Sequence, residues 1–293
     1  MKNMAPIIHH IEQVTGESLK NYRLESIGGG CINTAYRIHA GSRSYFIKLN
    51  QARLISMFEN EAHGLAEMRS LQCIRIPDVI CYGQTSDQSY LVLEYIELES
   101  LRGHASQLLG TQLAQLHRHP QAFYGWHQDN TIGSTVQYNA RHTDWSTFWQ
   151  QERLLPQLSM AAQNGFKGRL QTKGQQLAEQ VHVFFDNYTP PPALLHGDLW
   201  GGNAAADRQG NPVIFDPASY YGDRETDIAM TELFGGFGND FYAAYQAEYP
   251  LDPAYQTRKT LYNLYHILNH VNLFGGSYLG QAETMIEQLL AEI

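Results

Sequence analysis

Cysteine is scarce in this 293-residue chain: Cys31, Cys73 and Cys81 make an odd number, with no C-x-x-C spacing. That argues against both a disulfide framework and a zinc site. Charge is thin at 17% and its balance is acidic, with a formal net charge of −9. No run of lysines and arginines exists to follow a nucleic-acid backbone, so DNA and RNA are not expected as partners. No apolar stretch approaches the roughly 18 residues of a membrane span, and MKNMAPIIHHIEQ has no apolar core of a leader. A Walker A motif is missing too, which removes the P-loop NTPases. These absences lead to the expectation of a soluble cytoplasmic protein with no membrane partner.

What is present is a packed core, with 43% hydrophobic and 12% aromatic residues. Ile7, Ile8, Ile11 and Val14 predict a short amphipathic helix. Tyr22–Ile27, Ala35–Ala40 and Ser44–Leu49 alternate as strands around turn signals at Gly28-Gly29-Gly30 and Gly41-Ser42. A helical pattern follows from about Ser56 to Leu71, then strands around Val79–Tyr82 and Tyr90–Tyr95. Beyond residue 97 helical patterns dominate, at about 104–118, 143–160, 168–186, 223–234, 253–271 and 280–292, interrupted by a β-like stretch at Ala193–Pro217. The expectation is an α+β, two-lobed fold of protein-kinase type: a small β-rich lobe over residues 1–96 that holds a nucleotide, and a larger helical lobe over 97–293.

Chemistry concentrates in Leu194-Leu195-His196-Gly197-Asp198-Leu199-Trp200-Gly201-Gly202-Asn203, followed by Val213-Ile214-Phe215-Asp216-Pro217. This has the kinase catalytic-loop form H-x-D-L-x-x-x-N, with a second aspartate after a hairpin. Phosphoryl transfer needs one carboxylate at the attacking hydroxyl, and an amide oxygen plus another carboxylate to hold Mg²⁺ against the phosphates. Asp198, Asn203 and Asp216 are the candidates. In the small lobe, Gly28-Gly29-Gly30-Cys31-Ile32-Asn33 joins two strands and matches G-x-G-x-x-G incompletely, because Asn33 takes the last glycine position. It reads either as a phosphate loop or as a plain hairpin turn. Lys48, in the apolar strand Tyr45-Phe46-Ile47-Lys48-Leu49, stands where the kinase V-A-I-K lysine stands and needs an acidic partner. Glu61 shares a helical face with Phe58, Leu65 and Met68 and is preferred over Glu59. Glu94, Tyr95 and Ile96 end an apolar strand at the expected lobe junction, where backbone groups would meet adenine.

HGDLWGGN at 196–203, FDPASYYGDRETDIAM at 215–230, GGGCINTAYRI at 28–38 and GWHQDNTIGST at 125–135 together resemble the fructosamine-3-kinase (ketosamine-3-kinase) family. That family belongs to the aminoglycoside phosphotransferase and choline kinase branch of the kinase-like fold. The resemblance covers about residues 20–290. It implies an ATP- and Mg²⁺-dependent transfer of the γ-phosphate to the 3-hydroxyl of ketosamines such as fructosamines and ribulosamines. It further implies Asp198 as catalytic base, Asn203 and Asp216 on the metal, Lys48 with Glu61 on the phosphates, Glu94 to Ile96 as hinge, and Asp227 as the brace of the catalytic loop.

Substrate contacts are less determined. Trp200 can wall the sugar or pack the loop. Asp129 and Asn130, in a polar segment bounded by Gly125 and Gly133, can reach the cleft or sit in a surface loop. Trp126, Trp145, Phe148 and Trp149 are placed near the cleft, where an aromatic bias would suit one small sugar on an amine. His196 is read as structural, and His117 and His119 as surface residues. Cys31, in the candidate phosphate loop, is a candidate redox thiol whose oxidation would link two subunits, so a monomer and a homodimer both stand. An aminoglycoside- or choline-type phosphotransferase, or a non-catalytic pseudokinase, are the competing functions.

Overall fold

The computed structural model describes residues 4–28 and 33–293. The expectations placed on Gly29, Gly30 and Cys31 lie outside the described residues. Five antiparallel strands form one sheet in the order β1-β2-β3-β5-β4. They are β1 (Arg23–Ile27), β2 (Thr34–Ala40), β3 (Arg43–Gln51), β4 (Val79–Gln84) and β5 (Gln88–Glu94). Successive side chains on a strand face opposite ways, and here that sorts the sheet into two surfaces. Ile47, Leu49 and Val92 pack with Ile7, Ile8 and Ile11 of helix α1 (Ala5–Thr15). Phe46, Leu91 and Leu93 face the opposite way, into the main core with Phe58, Leu65 and Met68 of α2 (Ile55–Ser70). Lys48 follows the parity of Phe46, so β3 delivers it to the α2 side.

The rest of the chain is mostly helical. Strand β6 (Leu98–Glu99) leads into α3 (His104–His117), and a small hairpin β7 (Asn130–Ile132) and β8 (Thr135–Gln137) follows. Then come α4 (Trp145–Phe148), α5 (Leu155–Gln163) and α6 (Arg169–Gln180), strands β9 (Ala193–Leu195), β10 (Ala204–Asp207), β11 (Pro212–Ile214) and β12 (Tyr220–Gly222), and helices α7 (Glu225–Leu233), α8 (Asn239–Glu248), α9 (Tyr255–Phe274) and α10 (Leu279–Ala291). Helix α9 is the spine of this part, with both neighbours α7 and α10 against it and most of its length buried.

Three sequence expectations need correction. The helix expected over 143–160 is α4, a π-helical stretch Trp149–Leu154, and then α5. Pro156 has no N–H to donate to the carbonyl four residues back, so a regular helix cannot run through it. The helix expected over 168–186 ends at Gln180, and Val181–Phe185 tightens to a 3₁₀ turn. Helix α8 was not anticipated at all. It packs so closely on α3 that a Cβ at Gly110 would run into the backbone carbonyl of Phe241. No helix among the described residues is long and apolar enough to cross a membrane.

Candidate active site

Strands β9 and β12 pair antiparallel, and β10 pairs with β11. The chain leaving β9 and the chain leaving β11 therefore emerge side by side as two loops. Backbone bonds tie them together: Ala218 N–H donates to the His196 carbonyl at 2.9 Å, and Phe215 N–H donates to that of Asn203 at 3.1 Å. Gly197 sits at φ +81°, and a Cβ there would collide with the Ala218 carbonyl oxygen, so this turn accepts only glycine. His196 is buried and ties the loops again, donating from Nε2 to the Phe215 carbonyl at 2.9 Å and accepting the Asp198 N–H at Nδ1 at 3.3 Å. Between these clamps Asp216 is held at φ +59°, a left-handed conformation that a non-glycine residue keeps only when its surroundings impose it.

Beneath the first loop lies Asp227, on the first turn of α7 and almost completely buried. Its carboxylate accepts the N–H of Gly197 at 2.8 Å and, on the other oxygen, the N–H of His196 at 2.7 Å and Nε2–H of His117 at 3.2 Å. Burial by itself would raise its pKa, but the hydrogen bond from His117 and the backbone donors hold it below the ordinary carboxylate range. His117 is a further correction to the sequence reading: it is 2% exposed, not a surface residue. Burial lowers its pKa, so it is neutral, donating to Asp227 and accepting at Nδ1 from the Tyr245 hydroxyl at 2.8 Å. His119 is exposed, as expected.

Asp198 is partly exposed at the top of this loop. Its carboxyl is pushed up to about 7, first by burial and then by the nearby Asp227 charge, with the Asn203 bond acting in the other direction. Asn203 Nδ2 donates to the Asp198 carbonyl at 2.9 Å and lies 3.4 Å from both the Asp198 carboxylate and the Asp216 carbonyl. With the nitrogen spent inside the loop, Oδ1 is the atom left for a cation. Across from it Lys48 Nζ donates to Glu61 Oε1 at 2.7 Å and also pairs with Asp216. The β3 lysine, the α2 glutamate and the aspartate after β11 thus meet at one point. Gly64 makes the approach of α2 possible, since a Cβ there would press on Ser219.

Lys48 and Asp216 open into a cavity of about 320 Å³. Its walls include Ile27, Phe46, Leu93, Val213 and Phe215, and Glu94, Tyr95 and Ile96 run along its edge. A larger hollow, about 630 Å³, lies against the end of α2 and the segment that follows it, from Gln72 to Asp78, and contains none of Lys48, Glu61, Asp198, Asn203 or Asp216. Glu94 touches both: its carboxylate accepts Arg75 at 2.7 Å, and the other fork of Arg75 reaches Asp207 at 2.5 Å. Asp207 is buried in the β10–β11 hairpin, and hydrogen bonds from Asn211 and Arg75 outweigh burial and hold its carboxyl at about 2. The Arg75 carbonyl also accepts Ile214 N–H, so one residue joins the edge of the cavity to the hairpin behind the loop. Nothing in the sequence around Arg75 signalled this.

The expected substrate residues divide. Trp200 is 39% exposed on the catalytic loop, its ring folded over Gly202. Asn130 is buried and fully engaged, donating to the Ser219 carbonyl at 2.7 Å and accepting from Gln137 and Asn139, so it is not available to a substrate. Asp129 is exposed but its carboxylate caps the Asn139 N–H. Trp126, Trp145, Phe148 and Trp149 are all buried in the core and do not line the cleft. Trp145, Phe148 and Trp149 sit in helical stretches and Trp126 in the loop before β7, and packing rather than sugar binding accounts for them. Of the glycine-loop candidates that are described, Gly28 is exposed just after β1 and Asn33 accepts from Asn50 at 2.7 Å.

A β-sheet lobe carrying a lysine–glutamate pair, set against a helical lobe carrying H-G-D and a second aspartate, defines a phosphotransferase of the protein-kinase-like fold. A solved structure shares that fold: an aminoglycoside phosphotransferase in its apo form, 15% identical, superposes with a TM-score of 0.61 over 97% of this chain and 98% of that one. The sequence pattern of the fructosamine kinase family matches residues 3–292, and the chain belongs to that family. A "Probable ketoamine kinase" of Synechocystis sp. is 46% identical over 97% of this chain and 96% of its own length. The chloroplastic protein-ribulosamine 3-kinase of Oryza sativa subsp. japonica is 41% identical, over 94% of this chain and 81% of its own. A crystal structure described as "Putative fructosamine-3-kinase from Haemophilus somnus" is 29% identical, with a TM-score of 0.89 over 97% and 96% of the two chains.

Proposed function

We propose that this protein is a cytoplasmic ATP- and Mg²⁺-dependent kinase that phosphorylates the 3-hydroxyl of a ketosamine, with residues 1–96 holding the nucleotide and 97–293 the acceptor. One observation carries the catalytic part: hydrogen bonds hold Asn203 against Asp198 and Asp216, the Lys48–Glu61 pair meets Asp216, and Lys48 and Asp216 line a largely apolar cavity edged by Glu94, Tyr95 and Ile96. Family membership carries the acceptor, because the buried tryptophans leave Trp200 as the sole aromatic of the expected set beside the base.

Asp198 takes the proton of the acceptor hydroxyl as its oxygen forms a bond to the γ-phosphorus, and the bond from that phosphorus to the ADP oxygen breaks. Lys48, held by Glu61, carries positive charge to the phosphates. Among the described residues no three His, Cys, Asp or Glu side chains gather to enclose a metal. That fits Mg²⁺, which takes one or two protein oxygens and fills the remaining positions with phosphates and water. Asn203 Oδ1 and the Asp216 carboxylate would hold it, and it would neutralise charge on the transferring group. A phosphate placed next to the C2 carbonyl becomes a leaving group, so the product can eliminate and free the amine.

The test is ADP release with ATP, Mg²⁺ and a ribulosamine, a fructosamine, kanamycin, choline or no acceptor. Turnover is expected on a ketosamine. Faster turnover on kanamycin or choline than on both ketosamines would replace the acceptor, and nucleotide binding without any turnover would point to a pseudokinase. The Arg75 clamp adds a second measurement. Arg75→Ala frees Glu94 and leaves the buried Asp207 short of a partner, so KM for ATP is expected to rise about tenfold while kcat changes less than about threefold. A fall in kcat at unchanged KM would show that Arg75 does not act on the nucleotide side.

A further inference from the structure

Among the described residues five large aromatic side chains are exposed: Tyr22, Tyr138, Trp200, Phe234 and Phe274. Three of them belong to one row of rings that begins on the catalytic loop. Trp200 meets Phe234 edge-on at 6.3 Å between centroids, and Phe234 lies 5.1 Å from His270. His270 in turn stands 5.4 Å from Phe274 and 5.0 Å from Tyr278. The row is mounted on rigid parts. Phe234 caps α7, whose first turn carries Asp227, and His270 and Phe274 close the last turns of α9. Exposed aromatics cost solubility, and a contiguous set of them marks a contact surface.

We infer that this row seats the substituent on the acceptor's amine, and that the enzyme prefers ketosamines whose amine carries an aromatic or apolar group. The inference rests on the proposed reaction, in which Asp198 receives the 3-hydroxyl. The amine is on C1, two carbons from the reacting position, so whatever it bears must leave the cleft close to the loop. Trp200, two residues after the base, is the start of the surface found there. The chemistry of the row matches such a group. A secondary amine is protonated at neutral pH, and ring faces attract a cation and cover a hydrocarbon with one surface. His270 donates from Nδ1 to the His266 carbonyl at 2.7 Å, and in that tautomer Nε2 is an acceptor for the ammonium. A charged or bare amine substituent would use none of the apolar area beyond Trp200.

The experiment compares kcat/KM for the ribulosyl adducts of glycine and of phenylalanine, which share the carboxylate and differ by one benzyl group. The intact protein is expected to favour the phenylalanine adduct about tenfold, the effect of covering one phenyl ring in part. Phe274→Ala and Phe234→Ala replace exposed side chains and should each bring that ratio to within about twofold of one, while Tyr138→Ala, an exposed aromatic outside the row, should keep it. Equal kcat/KM for the two adducts in the intact protein, or a preference that survives both variants, would overturn the inference and leave the kinase reading standing. So would a dimer in sedimentation that Phe274→Ala dissociates, because a second copy would then be the occupant. Absence of turnover on every ketosamine would remove the acceptor assignment and this inference together.

Discussion

Asp198→Asn is expected to fold normally, to bind nucleotide within about twofold of the parent protein, and to lose turnover by about 10³-fold or more. The amide keeps the size and the hydrogen-bonding reach of the side chain but cannot take a proton. Nucleotide affinity should survive because Lys48, Glu61 and Asp216 hold their arrangement without help from the Asp198 carboxylate. The pH profile gives the same residue a second signature. Its carboxyl is pushed up to about 7, and only the ionised form can act as base. kcat/KM, which reports the free enzyme, should therefore climb up to tenfold per unit as pH approaches about 7 from below, and flatten above it. The sign for stability is opposite. A carboxyl with a raised folded-state pKa weakens the fold once pH exceeds its unfolded value, so the neutral amide should melt no lower than the parent at pH 8. Activity within about tenfold of the parent, or a melt well below it, would place the base elsewhere.

The parts of this site that could be read in the sequence were those in which one residue's neighbours fix its direction. Strand alternation around Lys48 puts it on the α2 face, and helical spacing puts Glu61 rather than Glu59 beside it; their 2.7 Å bond closes the pair. H-G-D and F-D-P were legible as motifs because loop geometry, glycine included, dictates them. Residues that act through distant contacts were not legible. His117 lies 110 positions from Asp227 and Arg75 lies 132 from Asp207, so no window of sequence holds both partners. The tryptophans failed for another reason. An aromatic at helical spacing carries the same pattern whether it packs a core or lines a cleft, and here Trp145 and Trp149 pack, as Trp126 does from its loop. Asn130 was polar in a glycine-bounded segment, which suited a cleft-reaching loop and a surface loop alike, yet the β7–β8 hairpin turns it inward against Ser219 and Gln137.

Asp227→Asn is the substitution expected to cost the fold most, although it changes one atom and touches no substrate. The carboxylate is an acceptor for three donors, two of them backbone N–H groups of the catalytic loop. An asparagine side chain offers one oxygen and one NH₂, so at least one buried donor must face another. Rotating the amide exchanges which donor suffers without removing the conflict. The alternatives are closed off as well. Neutral His117 can present an acceptor to the amide only by reversing its tautomer, and then the Tyr245 hydroxyl must accept Nδ1–H beside Arg224 at 3.1 Å, which leaves its own buried O–H without the His117 acceptor it had. Leaving buried donors unpaired costs about 1–3 kcal/mol each. A total of about 3 kcal/mol would lower Tm by roughly 6–12 °C for a chain of this size. Because His196 and Gly197 are the groups released, the remaining folded protein should also turn over about tenfold or more slowly, with KM for ATP little changed. A thermal melt within about 2 °C of the parent would mean that the backbone bonds from Ala218 and Phe215 hold the loop by themselves, and that Asp227 is not its brace.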